Sequence, residues 1–172
     1  MTSILKVDSI QNAAGTSAAE IKSDGTFYPA GGIVQVQQTV LSGRQNITAT
    51  TETDVTGSSV SITPKSSTSK IMVFSSIPSI ASNNNTIRLA LYRDSTIVNE
   101  LGHYSTISFW SPFSINFQYL DSPSTTSSIT YKIAVQFQTS GMGMWVNYAN
   151  TYAGFSAIGD ARGTVTLMEI AQ

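Results

Sequence analysis

Residues 129–138, Ile129-Thr130-Tyr131-Lys132-Ile133-Ala134-Val135-Gln136-Phe137-Gln138, decide the fold class of this chain. Apolar and polar side chains alternate along the stretch, so one face carries Ile129, Tyr131, Ile133, Val135 and Phe137. A period of two residues is that of a β-strand with one face in a core. The stretch therefore predicts a half-buried strand.

Short runs rich in β-branched and aromatic residues recur from Ile33 onward, separated by Ser, Asn, Gly and Pro. They predict nine strands, at residues 33–41, 53–63, 70–77, 86–92, 96–101, 113–120, 129–139, 143–148 and 164–170. No long stretch has a helical period, so we expect almost no helix. The pattern predicts an all-β protein, a jelly-roll-like antiparallel sandwich.

The first 32 residues differ from the rest. Two alternating runs, 4–11 and 19–28, flank the turn-rich spacer 12–17. Because a two-stranded hairpin is marginal alone in water, this extended β segment needs the main domain or copies of itself. Its candidate anchor or trimer contacts are the apolar residues Ile4, Leu5, Val7, Ile10, Ile21 and Phe27.

The sequence Pro29-Ala30-Gly31-Gly32 predicts a hinge, since proline fixes φ while two glycines free the backbone. We therefore divide the chain into an N-terminal segment, residues 1–32, and a head, residues 33–172. Turns are expected at 82–85 and 121–124, and a tight hairpin at 93–95. Residues 139–144 combine glycine with methionine, which favours a subunit contact over a mobile loop.

The composition narrows the function. Charged residues make up 11% of the 172 residues, against about 25% in an average domain. A net charge of −1 without basic clusters predicts no nucleic-acid partner. The chain has no cysteine and therefore no disulfide. It also lacks a long apolar run and a signal-peptide core, so we expect no membrane insertion, and synthesis in a cytoplasm.

A search for chemistry selects no catalytic, cofactor or metal residues. His103 is the one histidine, and no Gly-x-Ser-x-Gly motif accompanies it. The carboxylates Glu52, Asp54, Asp121 and Asp160 lie near predicted loops or strand ends, but their spacing selects no glycosidase pair. Metal-binding and phosphate-binding motifs are absent. The sequence predicts a protein that is not an enzyme and has no cofactor.

Aromatic residues cluster at 103–113 and at 145–155. They are typical of a core or subunit interface, where large rings bury most area. The other interpretation is a sugar-contacting patch, because flat ring faces hold sugar rings. For that interpretation the candidate glycan contacts are Tyr148, Asn150 and Tyr152, which follow a predicted strand in a polar loop.

Several short motifs together suggest a family. They are residues 5–18 (Leu-Lys-Val-Asp-Ser-Ile-Gln-Asn-Ala-Ala-Gly-Thr-Ser-Ala), 62–71, Leu91-Tyr92-Arg93-Asp94, 120–123, 130–132 and 164–171. The chain resembles tail-fibre and related virion proteins of aquatic bacteriophages, including cyanophages. This resemblance implies a homotrimer whose N-terminal segments wind together and anchor to the particle. It also implies a jelly-roll head similar to C1q or tumour-necrosis-factor domains.

The resemblance implies a virion structural protein, in the first place a short trimeric tail fibre that mediates adhesion to a host-surface glycan. Its partners would be copies of itself, other tail, baseplate or capsid proteins, and the glycan. A head fibre, capsid decoration or baseplate-linking protein without a receptor role is the first alternative. A polysaccharide depolymerase is the second.

Overall fold

The computed structural model describes residues 7–81, 85–105, 111–141, 143–148 and 161–172. These residues form fifteen β-strands and no helix, which confirms the predicted all-β fold. The strands are β1 Ser9–Gln11, β2 Ser17–Ile21, β3 Phe27–Pro29, β4 Ile33–Val40, β5 Gln45–Ile47, β6 Thr53–Asp54, β7 Val60–Ile62, β8 Lys70–Ala81, β9 Asn85–Arg93, β10 Thr96–Ser105, β11 Ser111–Ile115, β12 Gln118–Asp121, β13 Ile129–Phe137, β14 Met144–Val146 and β15 Thr164–Ile170.

Two antiparallel sheets form the head. In the first, the β8 sheet, β15 and β14 pair in succession with one edge of β8, while β12 and β11 pair with the other. Strands β4 and β5 extend it beyond β15 and β14. The second, the β13 sheet, has the order β10-β9-β13, with β7 and β6 on the far edge of β13. The chain passes repeatedly between the sheets, as in a jelly-roll-like sandwich.

The core lies between these sheets. All five apolar residues of the alternating face of β13 are at most 5% exposed, as their period predicts. They face the inward residues of the β8 sheet, which include Ile71, Val73, Ile77, Val165 and Leu167. The core cluster contains no residue before Leu41. The described N-terminal residues therefore lie outside the hydrophobic core of the head.

Some predicted strands are interrupted. The run 53–63 divides into β6 and β7 at a turn in which Gly57 has a φ of 81°, a conformation that suits glycine. The run 113–120 divides at residues 116–117, where the Phe117 amide donates to Ser75 Oγ at 2.7 Å. Strand β5 was not predicted, because three residues carry no measurable period and β5 forms by pairing with β14.

Strand β8 is longer than predicted and contains Pro78. Proline lacks an amide hydrogen and is usually excluded from central strands. Pro78 lies between the two pairings on one edge of β8, since β15 reaches Ser76 and β14 begins at Ser79. Its carbonyl accepts the Tyr148 amide at 3.0 Å on that edge. Pro78 therefore lies outside both ladders on that edge, and its missing donor removes no bond from either ladder.

The N-terminal residues form a separate three-stranded sheet, β1-β2-β3. The prediction of a single second run over 19–28 was wrong, because the chain reverses between Lys22 and Thr26. The Lys22 amide donates to the Thr26 carbonyl at 2.9 Å, and Gly25 has a φ of 80°. Two short strands with a tight turn replace one longer strand there.

This small sheet contacts the head through a few polar groups. The Tyr28 hydroxyl lies 2.6 Å from Ser69 Oγ, and Tyr28 is 6% exposed. Lys65 Nζ pairs with an Asp24 oxygen at 2.7 Å, which holds the pKa of that carboxyl well below its usual range. Residues 29–32 form a turn closed by a bond from the Gly32 amide to the Pro29 carbonyl at 3.0 Å.

The predicted hairpin at 93–95 is present. Strands β9 and β10 pair directly from Arg93 to Thr96, with Asp94 in the left-handed region at a φ of 54°. The Asp94 carboxylate accepts the Thr130 amide at 2.9 Å, which ties the hairpin to β13. The predicted turn at 82–85 falls mostly on residues 82–84, which lie outside the described residues.

Candidate interaction surfaces

The outward face of the β8 sheet carries a row of apolar side chains across four strands. The pairing registers place Met168 of β15 opposite Val36 of β4 and Met72 of β8, and Met72 opposite Leu120 of β12. Directly paired residues share one face of a sheet. The same face also carries Ile33, Val40 and Phe74 by register. We call these seven residues the apolar face.

Five of these residues are well exposed. Exposure is 56% for Ile33, 51% for Val36, 47% for Val40, 42% for Leu120 and 36% for Phe74. The uncharged residues Gln38, Thr164 and Thr166 lie among them. Within the described strands, the registers place one charged residue on the outward face of the β8 sheet. This residue is Lys70, at the first position of β8. Contiguous exposed apolar surface of this kind is typical of interaction sites.

The outward face of the β13 sheet is charged instead. Arg88 of β9 contacts the carboxylates of Glu100 and Glu52 and the Gln136 side-chain carbonyl. The bond to Glu100 and the negative charge of both carboxylates raise the pKa of the Arg88 guanidinium. The Tyr92 hydroxyl donates to Glu52, and this bond is the main cause of the raised pKa of Tyr92. These groups make up a hydrogen-bonded network of one guanidinium, two carboxylates and two neutral side chains.

A second ion pair extends this charged face. Lys132 Nζ lies 2.7 Å from an Asp54 oxygen and 5.3 Å from the centre of the Tyr92 ring. Such exposed pairs contribute little to stability because water screens them. We call the surface formed by Glu52, Asp54, Arg88, Tyr92, Glu100, Lys132 and Gln136 the charged face.

A pocket of about 350 Å³ opens at one end of the charged face. Its lining consists of Thr50, Thr86, Arg88, Gln136, Phe137 and Gln138. At this end of the head, β8 ends and β9 begins. At the opposite end, beside Lys70, β4 begins and β15 ends. The N-terminal sheet precedes β4, so the pocket lies at the end of the head distal to it. We call it the distal pocket.

Two carboxylates are buried between elements. Asp121 of β12 accepts the Tyr131 hydroxyl at 2.6 Å and pairs with Arg93 at 2.7 Å, so it joins the two sheets. Burial, followed by the bond to Asp121, strongly raises the pKa of Tyr131. The group acts as an inter-sheet clamp.

Glu169 of β15 is fully buried. Its carboxylate accepts the Ser69 hydroxyl at 2.6 Å, the Lys65 amide at 2.7 Å and the Gln35 side-chain amide at 2.6 Å. Because Ser69 also contacts Tyr28, Glu169 anchors the loop on which the N-terminal sheet rests. Three donors replace the hydration that the carboxylate loses on burial.

The predicted glycan contacts fall partly within the described residues. Tyr148 follows β14 and is half-buried. Its ring lies 5.5 Å from the Arg44 guanidinium and 6.1 Å from the Trp145 ring. Asn150 and Tyr152 lie outside the described residues. Tyr148 therefore joins an aromatic and cationic cluster beside β14 and does not belong to the lining of the distal pocket.

Three of the predicted anchor residues, Ile10, Ile21 and Phe27, share one face of the N-terminal sheet. Ile21 lies directly opposite Phe27, and Ile10 opposite Ala19, two residues before Ile21. Exposure is 50% for Ile10, 36% for Ile21 and 52% for Phe27, and Val7 is 39% exposed. Ile4 and Leu5 lie outside the described residues. The role of all six candidate residues in anchoring or trimer contact stays a prediction.

The carboxylates singled out in the sequence do not converge. Glu52 and Asp54 belong to the charged face, Asp121 to the inter-sheet clamp, and Asp160 lies outside the described residues. Among the described residues, no group of acidic or histidine side chains is arranged to hold a metal ion. None of the described segments is a helix that could span a membrane.

Sequence reasoning missed the apolar face and the distal pocket. Part of the signal for the first was present in β4, where alternation puts Val36 and Val40 on one side, whereas Ile33 joins them only through the register shift between Glu169 and Ile170. Recognising it needs the register that sets Val36 against Met168. The pocket combines residues from distant parts of the chain, and no local motif marks it.

No protein-family model and no curated protein sequence matches this chain. Two solved structures similar to it come from infectious bursal disease virus. One is the VP2 protein in derived T=1 particles, with 10% identity, a TM-score of 0.45, and coverage of 83% of this chain and 42% of that chain. The other is a structure of the Gt strain of the same virus, with 11% identity, a TM-score of 0.41, and coverage of 91% of this chain and 47% of that chain. This chain spans less than half of those chains, and no functional argument follows at this level of similarity.

Proposed function

We propose that this chain is a non-enzymatic structural protein of a bacteriophage virion, a short homotrimeric tail fibre whose distal end adheres to a host-surface glycan. The observation that carries the proposal is the apolar face, a surface built from four strands that a solitary soluble domain has no reason to expose. The short motifs that resemble phage tail-fibre proteins supply the virion context.

The occupant of the apolar face is a second copy of this chain. Its residues are uncharged apart from marginal Lys70, so identical chains meet there without like-charge repulsion. Its methionine-containing surface adapts to a partner, because methionine side chains repack easily. A partner carrying a charged patch would bury unpaired charge against it, which is costly.

The N-terminal sheet fits an anchoring role. Ile10, Ile21 and Phe27 form an exposed apolar face on a sheet that contacts the head by few polar groups. This face would bind other copies of the segment, or a tail, baseplate or capsid protein. With the chain divided at residues 29–32, such an attachment would be at one end and would leave the distal end of the head free.

The non-enzymatic role is supported by the state of the candidate carboxylates. Glu52 is engaged by Tyr92 and Arg88, and Asp121 is locked in the clamp with Tyr131. A glycosidase needs two carboxyl groups that face a common substrate, one of them free to transfer a proton. The engaged groups here stabilise the fold and the charged face.

The proposal is tested first by mass and location. Sedimentation equilibrium of the intact chain should give about 55 kDa, three times the 18.4 kDa of one chain. Immunogold labelling of intact virions should mark the tail tip. Labelling of the head would instead indicate a capsid decoration, and a mass of one chain would contradict the trimer. Shortening of host polysaccharide by the purified protein would indicate a depolymerase.

The glycan part of the proposal has its own test. A Tyr148→Ala, Tyr152→Ala double variant should bind host cells less than the intact chain, because both rings are candidate sugar contacts. Trimer mass is the control for folding. Unchanged cell binding by a correctly assembled variant would remove these residues from the adhesion site.

A further inference from the structure

The distal pocket combines a suitable size with neutral hydrogen-bonding groups. Its volume of about 350 Å³ is at the lower end of the range for small-molecule sites, enough for one sugar ring. Hydroxyl groups come from Thr50 and Thr86, and side-chain amides from Gln136 and Gln138. Each of these groups can both donate and accept hydrogen bonds.

The strands hold the lining in place. Gln136 donates from its side-chain amide to the Thr50 carbonyl at 2.9 Å and accepts from Arg88 at 3.2 Å. The backbone amide of Gln138 donates to the backbone carbonyl of Thr86 at 3.1 Å, so the two threonines lie beside the two glutamines. A prearranged set of this kind lowers the entropy cost of binding.

The charges around the pocket favour a neutral ligand. Arg88 is the cation in the lining, but its guanidinium contacts the carboxylates of both Glu52 and Glu100. One positive and two negative groups leave a local charge of −1. An acidic sugar would therefore meet repulsion, and Arg88 could engage it only by giving up a carboxylate partner.

The position of the pocket leaves it accessible in the proposed assembly. It lies on the β13 sheet, whereas the apolar face belongs to the β8 sheet on the other side of the sandwich. It also lies at the end opposite the N-terminal sheet. Association through the apolar face and attachment through the N-terminus would both leave the pocket open.

From these observations we propose that the distal pocket binds one neutral hexose unit of a surface glycan. This inference rests on the proposed adhesion function and deepens it by adding a binding site separate from the candidate contact Tyr148 and by naming the sugar class. Sugar hydroxyls pair with the threonine hydroxyls and glutamine amides, and the negative local charge selects against uronic and sialic acids.

The test uses the full chain and saturation-transfer NMR with glucose, galactose, mannose, glucuronate and N-acetylneuraminate as probes. At least one neutral hexose should bind, and both acids should bind at least tenfold more weakly. Titration with the bound hexose should shift the side-chain amide signals of Gln136 and Gln138. Absence of neutral-hexose binding, unmoved amide signals or preference for the acids would overturn the proposal.

The matched variants are Thr86→Val with Gln138→Ala, and Thr130→Val as the control. Thr130 lies on the same face of β13 at the opposite end, where its hydroxyl contacts Ser61 at 2.7 Å. The double variant should bind hexose about tenfold more weakly, as expected for two lost neutral hydrogen bonds. The control should bind like the unmodified chain.

The outcomes separate this inference from the proposed function. If the unmodified trimer binds a neutral hexose and the folded double variant binds it equally, the pocket assignment is wrong while adhesion stands. Virion location and trimer mass test the structural role independently of any sugar. A head location or a monomeric mass would contradict the fibre whether or not the pocket binds hexose.

Discussion

The apolar face and the charged face come from strands with the same alternating pattern, yet their outward residues differ in kind. On the β8 sheet, the outward row contains Val36, Met72, Leu120 and Met168. On the β13 sheet, the corresponding positions carry Arg88, Lys132 and other polar residues tied into ion pairs. Alternation decides which side chains enter the core. The outward positions decide whether a sheet faces water or another protein surface.

The two sheets also treat carboxylates differently. The β8 sheet buries Glu169 beneath three donors, whereas Glu100 of the β13 sheet keeps 48% of its side chain exposed. A buried carboxylate depends on its fixed partners, since water cannot replace them. An exposed one exchanges its partner for water at little cost. Mutations of the same type should therefore have unequal effects on the two sheets.

The largest expected effect is the loss of self-association in Met168→Lys. The new charge would lie at the centre of the apolar face and would be buried unpaired on association, at a cost of several kcal/mol. Sedimentation should show 18.4 kDa in place of the trimer mass. Thr130→Lys on the charged side is the control and should remain trimeric. A trimeric Met168→Lys protein would exclude the apolar face as the interface.

Glu169→Ala should lower the free energy of unfolding by about 3 kcal/mol, because buried donors lose their acceptor. Glu100→Ala should cost less than about 1 kcal/mol, since Glu100 is largely exposed. Urea denaturation of both variants measures the difference. Equal costs would show that burial does not separate the two carboxylates.

Deletion of residues 1–28 tests whether the apolar face is sufficient for assembly. The head should stay folded, because its core cluster begins at Leu41. The proposed trimer should be weaker, so that it dissociates at a protein concentration about tenfold higher than the intact chain does. Incorporation into virions should fall. Circular dichroism checks the fold, and sedimentation over a dilution series checks the assembly. Unchanged trimer stability with normal incorporation would contradict the anchoring role.

High pH should weaken the clamp between the sheets. The pKa of Tyr131 is raised above its unfolded value of 10.0, so above about pH 10 the unfolded chain releases a proton that the folded chain keeps. The contribution of Tyr131 to the free energy of unfolding is fully present below pH 10. Above pH 10 the free energy of unfolding falls by up to about 1.4 kcal/mol for each pH unit. Urea midpoints between pH 9 and 11 should decline less steeply in Tyr131→Phe.

Tyr92→Phe is the matched control for that experiment, since Tyr92 lies on the charged face. Its pKa is also raised, chiefly by the bond to Glu52, but solvent screens this interaction more than it screens the buried Tyr131. The pH dependence of Tyr92→Phe should stay closer to that of the unmodified chain. A larger change in Tyr92→Phe than in Tyr131→Phe would refute the assignment of the clamp.

The smallest expected effect is that of Lys132→Ala. It removes an exposed ion pair with Asp54 and should change the free energy of unfolding by less than about 1 kcal/mol. The change should shrink further in 1 M salt, where the Debye length is about 3 Å. A loss of several kcal/mol, insensitive to salt, would mean that the charged face is a structural element.

The sequence predicted the strands whose alternation is long. Strands β4, β13 and β15 appear close to their expected positions, because one buried face imposes a clear period on each. The interrupted runs were harder, since a turn at Gly57 separates β6 from β7 within a continuous β-rich segment. Strand β5 depends wholly on its partner, and three residues cannot show a period.

Surfaces were less predictable than strands. Tyr148 was selected for its aromatic ring and polar neighbours, but the sequence could not place it against Arg44 and Trp145. Val36, Met72 and Met168 are separated by up to 132 positions, and only strand pairing brings them into one row. Features that depend on register across several strands lie beyond any local pattern.

Pro78 has a consequence for how this protein can be altered. Tyr148 meets this edge of the β8 sheet at Pro78, and Thr164 meets it at Ser76. These two points lie two positions apart on β8, so the β14 and β15 ladders share one edge without overlapping. Substitution of Pro78 would add a backbone donor between the two ladders, whereas proline withholds that donor and keeps the boundary between them fixed.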